Sequence, residues 1–110
     1  MKVNEMKMII AMIRPEKLQN VKDALSAAGQ HGMTIISARG RGEQSGLQFT
    51  TRVGTIMVDE LEKTRIEICV EDEMEEPCID AIISAANTGH MGDGRIFVLP
   101  VEKSIRIRQD

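Results

Sequence analysis

Three segments of the sequence combine residue types that could bind phosphate. The first, Gly40-Arg41-Gly42-Glu43-Gln44-Ser45-Gly46, is rich in glycine. Glycines let the backbone approach an anion closely and offer it N–H groups. The segment matches neither the Walker A pattern nor the GxGxxG dinucleotide-binding pattern. A plain flexible loop therefore explains it equally well.

The second segment follows a predicted helix and opens a predicted strand. It reads Thr88-Gly89-His90-Met91-Gly92-Asp93-Gly94-Arg95. The two glycines around Asp93 predict a tight turn, and Arg95 follows at the mouth of that turn. An ordinary Asp-Gly turn would explain part of this string but not the whole of it.

The third segment is the basic stretch Arg106-Ile107-Arg108. In an extended chain alternate residues share a face, so Arg106 and Arg108 would point the same way about 7 Å apart. That spacing suits two adjacent phosphates, and arginine is well shaped for bidentate phosphate contact. A solvated basic tail is the alternative. With Arg95, these residues give three cations that could converge on one polyphosphate.

No pattern in the sequence predicts catalysis. A Ser-His-Asp set and a metal-ligating cluster are both missing, and His31 and His90 have no evident sequence partners. Cys69 and Cys78 have neither zinc spacing nor a CxxC pattern, and we expect both to be buried thiols. The sequence therefore favours a binding protein over an enzyme.

Composition restricts the class of protein and its partners. The 110 residues correspond to a single domain. A net charge of −3 and only two aromatic residues, Phe49 and Phe97, argue against a nucleic-acid partner, because a protein that binds nucleic acid needs a basic surface and stacking side chains. The sequence holds no run of about 18 apolar residues that could insert into a membrane. We expect a cytoplasmic protein.

The elements that must position the three segments alternate between strands and helices. Residues 7–13 form a continuous apolar run, typical of a strand covered on both faces. Pro15 suits the start of a helix and Gly29 its end. Residues 33–38 are predicted to form a second strand. The helix between them repeats apolar residues at three- and four-residue steps: Leu18, Val21, Leu25 and Ala28.

The second half of the chain predicts two more strands and a helix. Residues 39–58 hold four glycines and little periodicity, so we expect a functional loop without regular structure. Residues 65–70 and 95–99 are the predicted strands. Between them, an acidic run at 71–76 precedes a helix whose dipole favours negative charge at its start. Pro77 suits the first turn, Asn87 to Gly89 end the helix, and the buried stripe comprises Ile79, Ile82, Ile83 and Ala86.

This order of elements predicts a ferredoxin-like βαββαβ fold of the α+β class. Four antiparallel strands would form one sheet with two helices on one face. Because the strands look apolar on both faces, we expect self-association to bury the uncovered face. The same topology serves RNA recognition, but the acidic balance and the lack of stacking residues oppose that alternative.

The motifs resemble those of the PII nitrogen-regulatory signal-transduction family. The string Thr88-Gly89-x-x-Gly92-Asp93-Gly94-Arg95-Ile96-Phe97 is similar to the C-terminal signature of the family. Gly40-x-Gly42-x-Gln44-x-Gly46 resembles the base of its long T-loop, between the second and third strands. Residues 6–17, 32–34, 57–59, 66–68 and 101–108, together with Lys63, resemble further family motifs. The resemblance covers nearly the whole chain.

The resemblance implies a homotrimer of single-domain subunits that binds ATP or ADP in the three clefts between subunits. The domain would span 1–110, with the T-loop at about 42–58 and a phosphate-binding segment at about 100–110. Thr34 and the backbone near Cys69 would hold the adenine. The residues implied at the phosphates are Gly42, Gly92, Asp93 and Gly94, with Arg95, Arg106 and Arg108 as neutralising cations, and Gly40 is a further implied nucleotide-binding residue.

The resemblance also implies Mg²⁺ and 2-oxoglutarate as ligands. Gln44 would coordinate Mg²⁺, and Lys63 would pair with a carboxylate of 2-oxoglutarate. Mg²⁺ prefers oxygen ligands, and a 2-oxo acid can complete its octahedron. These ligands would set the shape of the T-loop. The loop would then engage an ammonium transporter, a nitrogen-assimilation enzyme or nitrogenase.

The sequence departs from the family pattern in the T-loop. The tyrosine that many members modify would fall near Thr51 or Ile56, but the chain has no tyrosine. Uridylylation of tyrosine is therefore excluded. Ser45 lies at the base of the loop, so phosphorylation of a serine at the loop tip is not expected.

Two further departures concern charge near the phosphates. Glu43 and His90 stand where many members carry basic residues, so we expect weaker ATP binding or a preference for a less charged nucleotide. The alternative is a PII-like sensor of another pathway, such as bicarbonate or metal handling. Such a sensor would respond to ADP, AMP or a cyclic nucleotide without 2-oxoglutarate. Gln44 and Lys63 argue against it.

Overall fold

The computed structural model describes residues 5–41, 47–52, 54–58 and 60–109. A 3-10 turn at Pro15–Lys17 precedes the first helix. The remaining elements in chain order are β1 (Met6–Ile13), α1 (Leu18–Ala27), β2 (Thr34–Gly40), β3 (Leu47–Thr51), β4 (Gly54–Val58), β5 (Leu61–Glu71), α2 (Asp72–Ala86) and β6 (Gly94–Val101).

Four of these strands form one antiparallel sheet in the order β2-β5-β1-β6. With two helices packed against it, this sheet confirms the predicted ferredoxin-like βαββαβ fold. β1 pairs with β5 along one edge and with β6 along the other. The ends of β1, β5 and β6 are thereby brought together, and this arrangement positions the candidate site.

The hydrophobic core lies between one face of the sheet and both helices. Alternate residues of β1 and β5 point into it, as the period of a strand requires. Burying a large aliphatic side chain stabilises a fold by roughly 1.5–3 kcal/mol. The core residues are at most 5% exposed: Ile9, Ala11, Ile13, Val21, Leu25, Ile66, Ile68, Val70, Cys78, Ile82 and Ala86.

The opposite face of the sheet is open in the single chain. It is apolar along most of β1 and β6 and charged along the middle of β5. Leu99 lies opposite Met8, and Phe97 lies opposite Ile10. Leu99 and Phe97 remain 45% and 48% exposed. An exposed apolar surface of this kind is typical of an interface. Its burial by self-association stays a prediction.

The prediction of a loop without regular structure over residues 39–58 is wrong for much of its described part. β2 continues to Gly40, and β3 and β4 form a separate antiparallel hairpin. Gly54 has a φ of +133°, which side-chain-bearing residues rarely adopt, and it pairs with Thr51 where the chain reverses. The four glycines of the segment obscured these short strands in the sequence.

The start of α2 also differs from the prediction. Part of the acidic run lies inside the helix, which begins at Asp72, and Pro77 lies in the helix rather than in its first turn. Cys78, Ile82 and Ala86 are buried at four-residue spacing, whereas Ile83 is 49% exposed. The assignment of Ile83 to the buried stripe is therefore wrong, because it falls beside the row that faces the core.

The two cysteines have different environments. Cys78 is fully buried in the core, and burial raises the pKa of its thiol. Cys69 is only half-buried, because it lies opposite Met8 on the open face of the sheet. The prediction of two buried thiols is therefore confirmed for Cys78 alone.

The end of α1 follows the prediction. Gly29 has a φ of +97°, and the N–H groups of Gly29 and Gln30 donate to the carbonyls of Ser26 and Leu25 at 3.0 and 2.8 Å. This pattern is a Schellman motif. Within the described residues, neither helix has the length and apolar character needed to span a membrane.

Candidate functional site

Residues 88–94, the glycine turn, connect α2 to β6 and form the centre of the candidate site. Its glycines have φ values of +80° at Gly89, +89° at Gly92 and +115° at Gly94. A Cβ added at Gly94 would overlap the carbonyl oxygen of Met12 on β1. Only glycine therefore lets the chain leave the turn and pair with β1 at this point.

The carboxylate of Asp93 organises the glycine turn from within. It accepts hydrogen bonds from the Thr88 hydroxyl and from the backbone N–H groups of Thr88 and Gly89, the latter two at 2.7 and 3.1 Å. Arg14, which follows β1, adds an ion pair with an Nε–Oδ1 distance of 3.0 Å. The Thr88 hydrogen bonds, with that ion pair, hold the pKa of Asp93 far below its usual range. The carboxylate is therefore ionised and engaged by the protein itself.

Two cations from neighbouring strand ends bind the backbone of the glycine turn. Arg14 donates through Nη2 to the Met91 carbonyl at 2.6 Å, and Lys63 on β5 donates to the Gly92 carbonyl at 2.5 Å. A Cβ at Gly92 would lie 3.4 Å from Arg14 Nη2 and 3.9 Å from Lys63 Nζ. The glycine therefore leaves room for both cations to approach the chain.

The electrostatic environment of Lys63 reflects this crowding. Partial burial lowers the pKa of its ammonium group, and the positive charge of Arg14 lowers it further. Glu16 and Asp93 act in the opposite direction. An added carboxylate or phosphate near Lys63 would favour its charged form, because opposite charges stabilise each other.

A cleft of about 370 Å³ lies beside Lys63. Its size falls within the range of about 300–1,000 Å³ that is typical of small-molecule sites. Lys63 borders both the cleft and the glycine turn, so one cation connects the two. The lining residues are Pro15, Ser37, Ala38, Arg39, Glu62 and Lys63.

Some of the residues predicted from the sequence meet at this site. Gly92, Asp93 and Gly94 form the turn, and Lys63 bonds to it. Gly40, at the end of β2, lies against the stem of Lys63, with 3.6 Å between an added Cβ and Lys63 Cγ. Gly42 and Gln44 lie outside the described residues.

Thr34 and Cys69, the residues predicted at the adenine, lie toward the other end of the sheet. Thr34 is opposite Glu67, and Cys69 follows two residues along the same strand on the same face. The two are therefore diagonal neighbours. Cys69 is six residues from Lys63 on β5, which corresponds to about 20 Å along the strand.

The three predicted arginines lie outside the glycine turn itself. Arg95 is on β6 opposite Met12, on the open face of the sheet. β6 ends at Val101, and residues 102–109 belong to no helix or strand. Arg106 and Arg108 are exposed in that segment. Their convergence on a phosphate stays a prediction.

Two residues of the site, Thr88 and Arg14, had no individual role predicted from the sequence, although Thr88 begins the second candidate segment. Thr88 carries a local signal, since a hydroxyl just before a glycine-rich turn can bond to a nearby aspartate. Arg14 carries none, because its partners Met91 and Asp93 lie 77 and 79 residues away in the sequence. Among the described residues, no group of three or more His, Cys, Asp or Glu side chains could hold a metal ion.

Known proteins are similar to this chain over most of its length. The sequence profile described as "Nitrogen regulatory protein P-II" matches residues 6–110. Nitrogen regulatory protein P-II 2 of Methanothermobacter thermautotrophicus is 50% identical over 103 residues, which cover 94% of this chain and 90% of the relative. Nitrogen regulatory protein P-II of Haemophilus influenzae is 50% identical, and that of Azospirillum brasilense is 48% identical; each alignment covers 94% of this chain and 92% of the relative.

Proposed function

This chain belongs to the nitrogen regulatory protein P-II family, and we propose that it is a regulator that binds ATP or ADP, Mg²⁺ and 2-oxoglutarate at clefts between the subunits of a homotrimer. The T-loop then controls a nitrogen-metabolism target, which is an ammonium transporter, an assimilation enzyme or nitrogenase. The protein acts in the cytoplasm by binding rather than by catalysis.

The glycine turn is the observation that carries the nucleotide part of the proposal. Its glycines allow close approach of an anion. Two cations, Arg14 and Lys63, bind its Met91 and Gly92 carbonyls at 2.6 and 2.5 Å, and the N–H groups that follow these carbonyls therefore point away from the cations. Successive backbone N–H groups in a turn of this kind form an anion-binding concavity. Polyphosphate is the anion that such a surface suits best. Arg95, Arg106 and Arg108 are the further cations proposed to neutralise it.

The distance between the two halves of the nucleotide site supports clefts shared between subunits. Cys69 is about 20 Å from Lys63 along β5, and Thr34, which lies opposite Glu67, is about 14 Å from Lys63 along the same direction, at about 3.4 Å per strand residue. A shared cleft resolves this separation, because one subunit can supply the adenine side and its neighbour the phosphate side.

The open face of the sheet supports the homotrimer. Leu99, Phe97 and Ile36 are 45%, 48% and 41% exposed in the single chain. Burying apolar area contributes roughly 25 cal/mol per Å², so a face of this kind favours association. Three copies with these faces turned inward would bury them together.

The cleft beside Lys63 supports a small dicarboxylate as the second ligand. Lys63 and Arg39 line it with two cations, and Glu62 with one anion. A carboxylate of 2-oxoglutarate would pair with Lys63 as a point charge. Gln44 is the proposed Mg²⁺ ligand. That role rests on the family resemblance, since Gln44 lies outside the described residues.

The hairpin of β3 and β4 supports the T-loop as the contact with a target. The molecule measures 65 × 24 × 23 Å. Its radius of gyration is 17.0 Å, compared with about 13 Å for a compact chain of this length. The molecule is therefore longer than a compact body would be. Because the hairpin pairs with itself rather than with the main sheet, we assign the projecting segment to the hairpin. Such a segment suits a protein partner.

Calorimetry of the purified protein tests the proposed function. MgATP should bind, and 2-oxoglutarate should strengthen that binding. Binding of ADP, AMP or a cyclic nucleotide with no effect of 2-oxoglutarate would instead favour a sensor of another pathway, as Glu43 and His90 suggest. Failure of every nucleotide to bind would refute the proposal.

A further inference from the structure

We infer that Arg14 is a positioning residue, which holds the glycine turn in its phosphate-binding conformation by joining the Asp93 carboxylate to the Met91 carbonyl. The inference rests on the proposed function, because it takes nucleotide phosphate as the ligand of the turn. It assigns to Arg14 a role that acts through the protein backbone rather than through direct contact with the ligand.

The guanidinium group of Arg14 bonds to two separate points of the turn. Nε lies 3.0 Å from Asp93 Oδ1, and Nη2 lies 2.6 Å from the Met91 carbonyl oxygen. The group is planar and rigid, so these two bonds fix the carboxylate and the carbonyl relative to each other. Both side chains are largely withdrawn from solvent, with Arg14 27% and Asp93 21% exposed.

These bonds also determine where the backbone N–H groups of the turn point. In a planar trans peptide the C=O and the following N–H point in opposite directions, and the chain has no cis peptide bond in its described part. The Met91 carbonyl points to Arg14, so the N–H of Gly92 points away from it. The Gly92 carbonyl points to Lys63, so the N–H of Asp93 likewise points away. Two successive N–H groups thus point away from Arg14 and Lys63, and under the proposed function these N–H groups are the donors that meet the phosphate.

Arg14 also removes an electrostatic obstacle to phosphate binding. Asp93 carries a full negative charge within the turn that receives the phosphates. Without a cation beside it, this charge would repel the ligand. The ion pair of Arg14 with Asp93 offsets the repulsion, while the donors from Thr88 and Gly89 hold the carboxylate inside the turn.

A lysine at position 14 separates positioning from charge alone. Lysine would keep the positive charge but would lose the rigid pair of bonds to Asp93 and Met91. If charge alone matters, Arg14→Lys should behave as the unmodified protein does. If positioning matters, Arg14→Lys should resemble Arg14→Gln.

The test combines variants of the trimeric protein with two measurements. The variants are Arg14→Lys, Arg14→Gln, Asp93→Asn and the double variant Arg14→Gln/Asp93→Asn, with Lys22→Gln on α1 as a control for the lost charge. Calorimetry measures MgATP affinity, and NMR measures hydrogen exchange at the Thr88 and Gly89 amides without ligand. Thermal unfolding identifies any variant that fails to fold.

If Arg14 positions the glycine turn, we expect the following results. Arg14→Lys and Arg14→Gln should each lower MgATP affinity about tenfold, the usual scale for a lost charge-assisted hydrogen bond. The MgATP affinity of the double variant should lie within about twofold of the affinity of the weaker-binding single variant, because the two residues act as one unit. Exchange at Thr88 and Gly89 should accelerate in both Arg14 variants. Lys22→Gln should change neither measurement.

Other results would overturn the inference. An unchanged MgATP affinity in Arg14→Lys would show that charge alone suffices. If the loss of affinity in the double variant equals the product of the two single losses, Arg14 and Asp93 act independently. Unchanged amide exchange would show that Arg14 does not hold the turn. Failure of the unmodified protein to bind any nucleotide would refute the proposed function and the phosphate role together, while the exchange measurement would still decide whether Arg14 fixes the turn.

Discussion

Replacement of Gly94 by alanine should destabilise the fold more than replacement of other glycines in or near the site. Two costs combine at this position. Gly94 has a φ of +115°, and a left-handed conformation costs a residue with a Cβ roughly 1–2 kcal/mol. The added Cβ would also overlap the Met12 carbonyl oxygen of β1. That backbone atom belongs to β1, an inner strand of the sheet, and cannot move without disturbing the strands on both sides.

The second cost can be estimated from the pairing of the strands. Gly94 lies opposite Ile13 at the end of the β1–β6 ladder. Relieving the overlap would separate the first residues of β6 from β1, at a cost of about 0.5–1.5 kcal/mol for each hydrogen bond lost. With the conformational cost, Gly94→Ala should lower the free energy of unfolding by about 3 kcal/mol.

Two other glycines provide matched controls. Gly89 has a φ of +80° but open space around its added Cβ, so Gly89→Ala should cost only the conformational part, about 1–2 kcal/mol. Gly32 has neither a positive φ nor a neighbour within 4 Å, so Gly32→Ala should stay within about 1 kcal/mol of the unmodified protein.

Urea unfolding at one fixed protein concentration is the appropriate assay, because the apparent stability of the proposed homotrimer would depend on concentration. The three variants should rank in the order Gly32→Ala, Gly89→Ala, Gly94→Ala, from most to least stable. Equal stability of the Gly89 and Gly94 variants would contradict this prediction. It would mean that β6 can shift away from Met12 at no measurable cost.

Further predictions concern the ligands and pH. Gln44→Ala should abolish Mg²⁺-dependent 2-oxoglutarate binding and spare most nucleotide affinity in calorimetry; an equal loss of both would contradict the Mg²⁺ role. Lys63→Gln should weaken 2-oxoglutarate binding about tenfold or more and also weaken MgATP binding, since Lys63 bonds to the Gly92 carbonyl. Folding lowers the pKa of Asp93, so the stability contributed by this carboxylate is present above about pH 4 and decreases as pH falls through the folded-state pKa. The difference in unfolding free energy between the unmodified protein and Asp93→Asn should therefore shrink below about pH 4, and a difference that grows in acid would contradict the assignment.

The main sheet and the helices could be predicted because their signals are local. The apolar run of β1, the helical spacing of α1 and the helix end at Gly29 each depend on a few residues that are close together in the sequence. Periodicity is the strongest signal that a single sequence carries. The antiparallel order of the strands then followed from the sequence of elements.

The hairpin was missed because its strands are short and lie among glycines. β3 and β4 have five residues each, too few for an alternating pattern to be distinguished from a loop. Ile83 was misassigned for a related reason. It is apolar and adjacent to Ile82, but α2 turns it about 100° away from the row that faces the core.

The glycine turn was only partly predictable. Gly92, Asp93 and Gly94 indicate a turn by their residue types alone. The contacts of Arg14 and Lys63 depend on how β1 and β5 flank the turn, 77 and 29 residues away along the chain. Such pairings arise from the tertiary fold, and a local pattern cannot encode them.

The lack of tyrosine gives the proposed regulation a specific character. The chain contains no tyrosine, so control through uridylylation of that residue is not available to it. We propose that ligands alone set the conformation of the T-loop. A ligand can do so only to the extent that it binds one loop conformation more tightly than another.

Binding of nucleotide between the glycine turn of one subunit and the Thr34–Cys69 region of its neighbour can be tested by mapping amide chemical shifts during titration with MgATP. The amides of Gly92 to Arg95 and those near Thr34 and Cys69 should shift together, at one nucleotide per subunit. Shifts that leave the glycine turn unaffected, or that spare the region of Thr34 and Cys69, would contradict it.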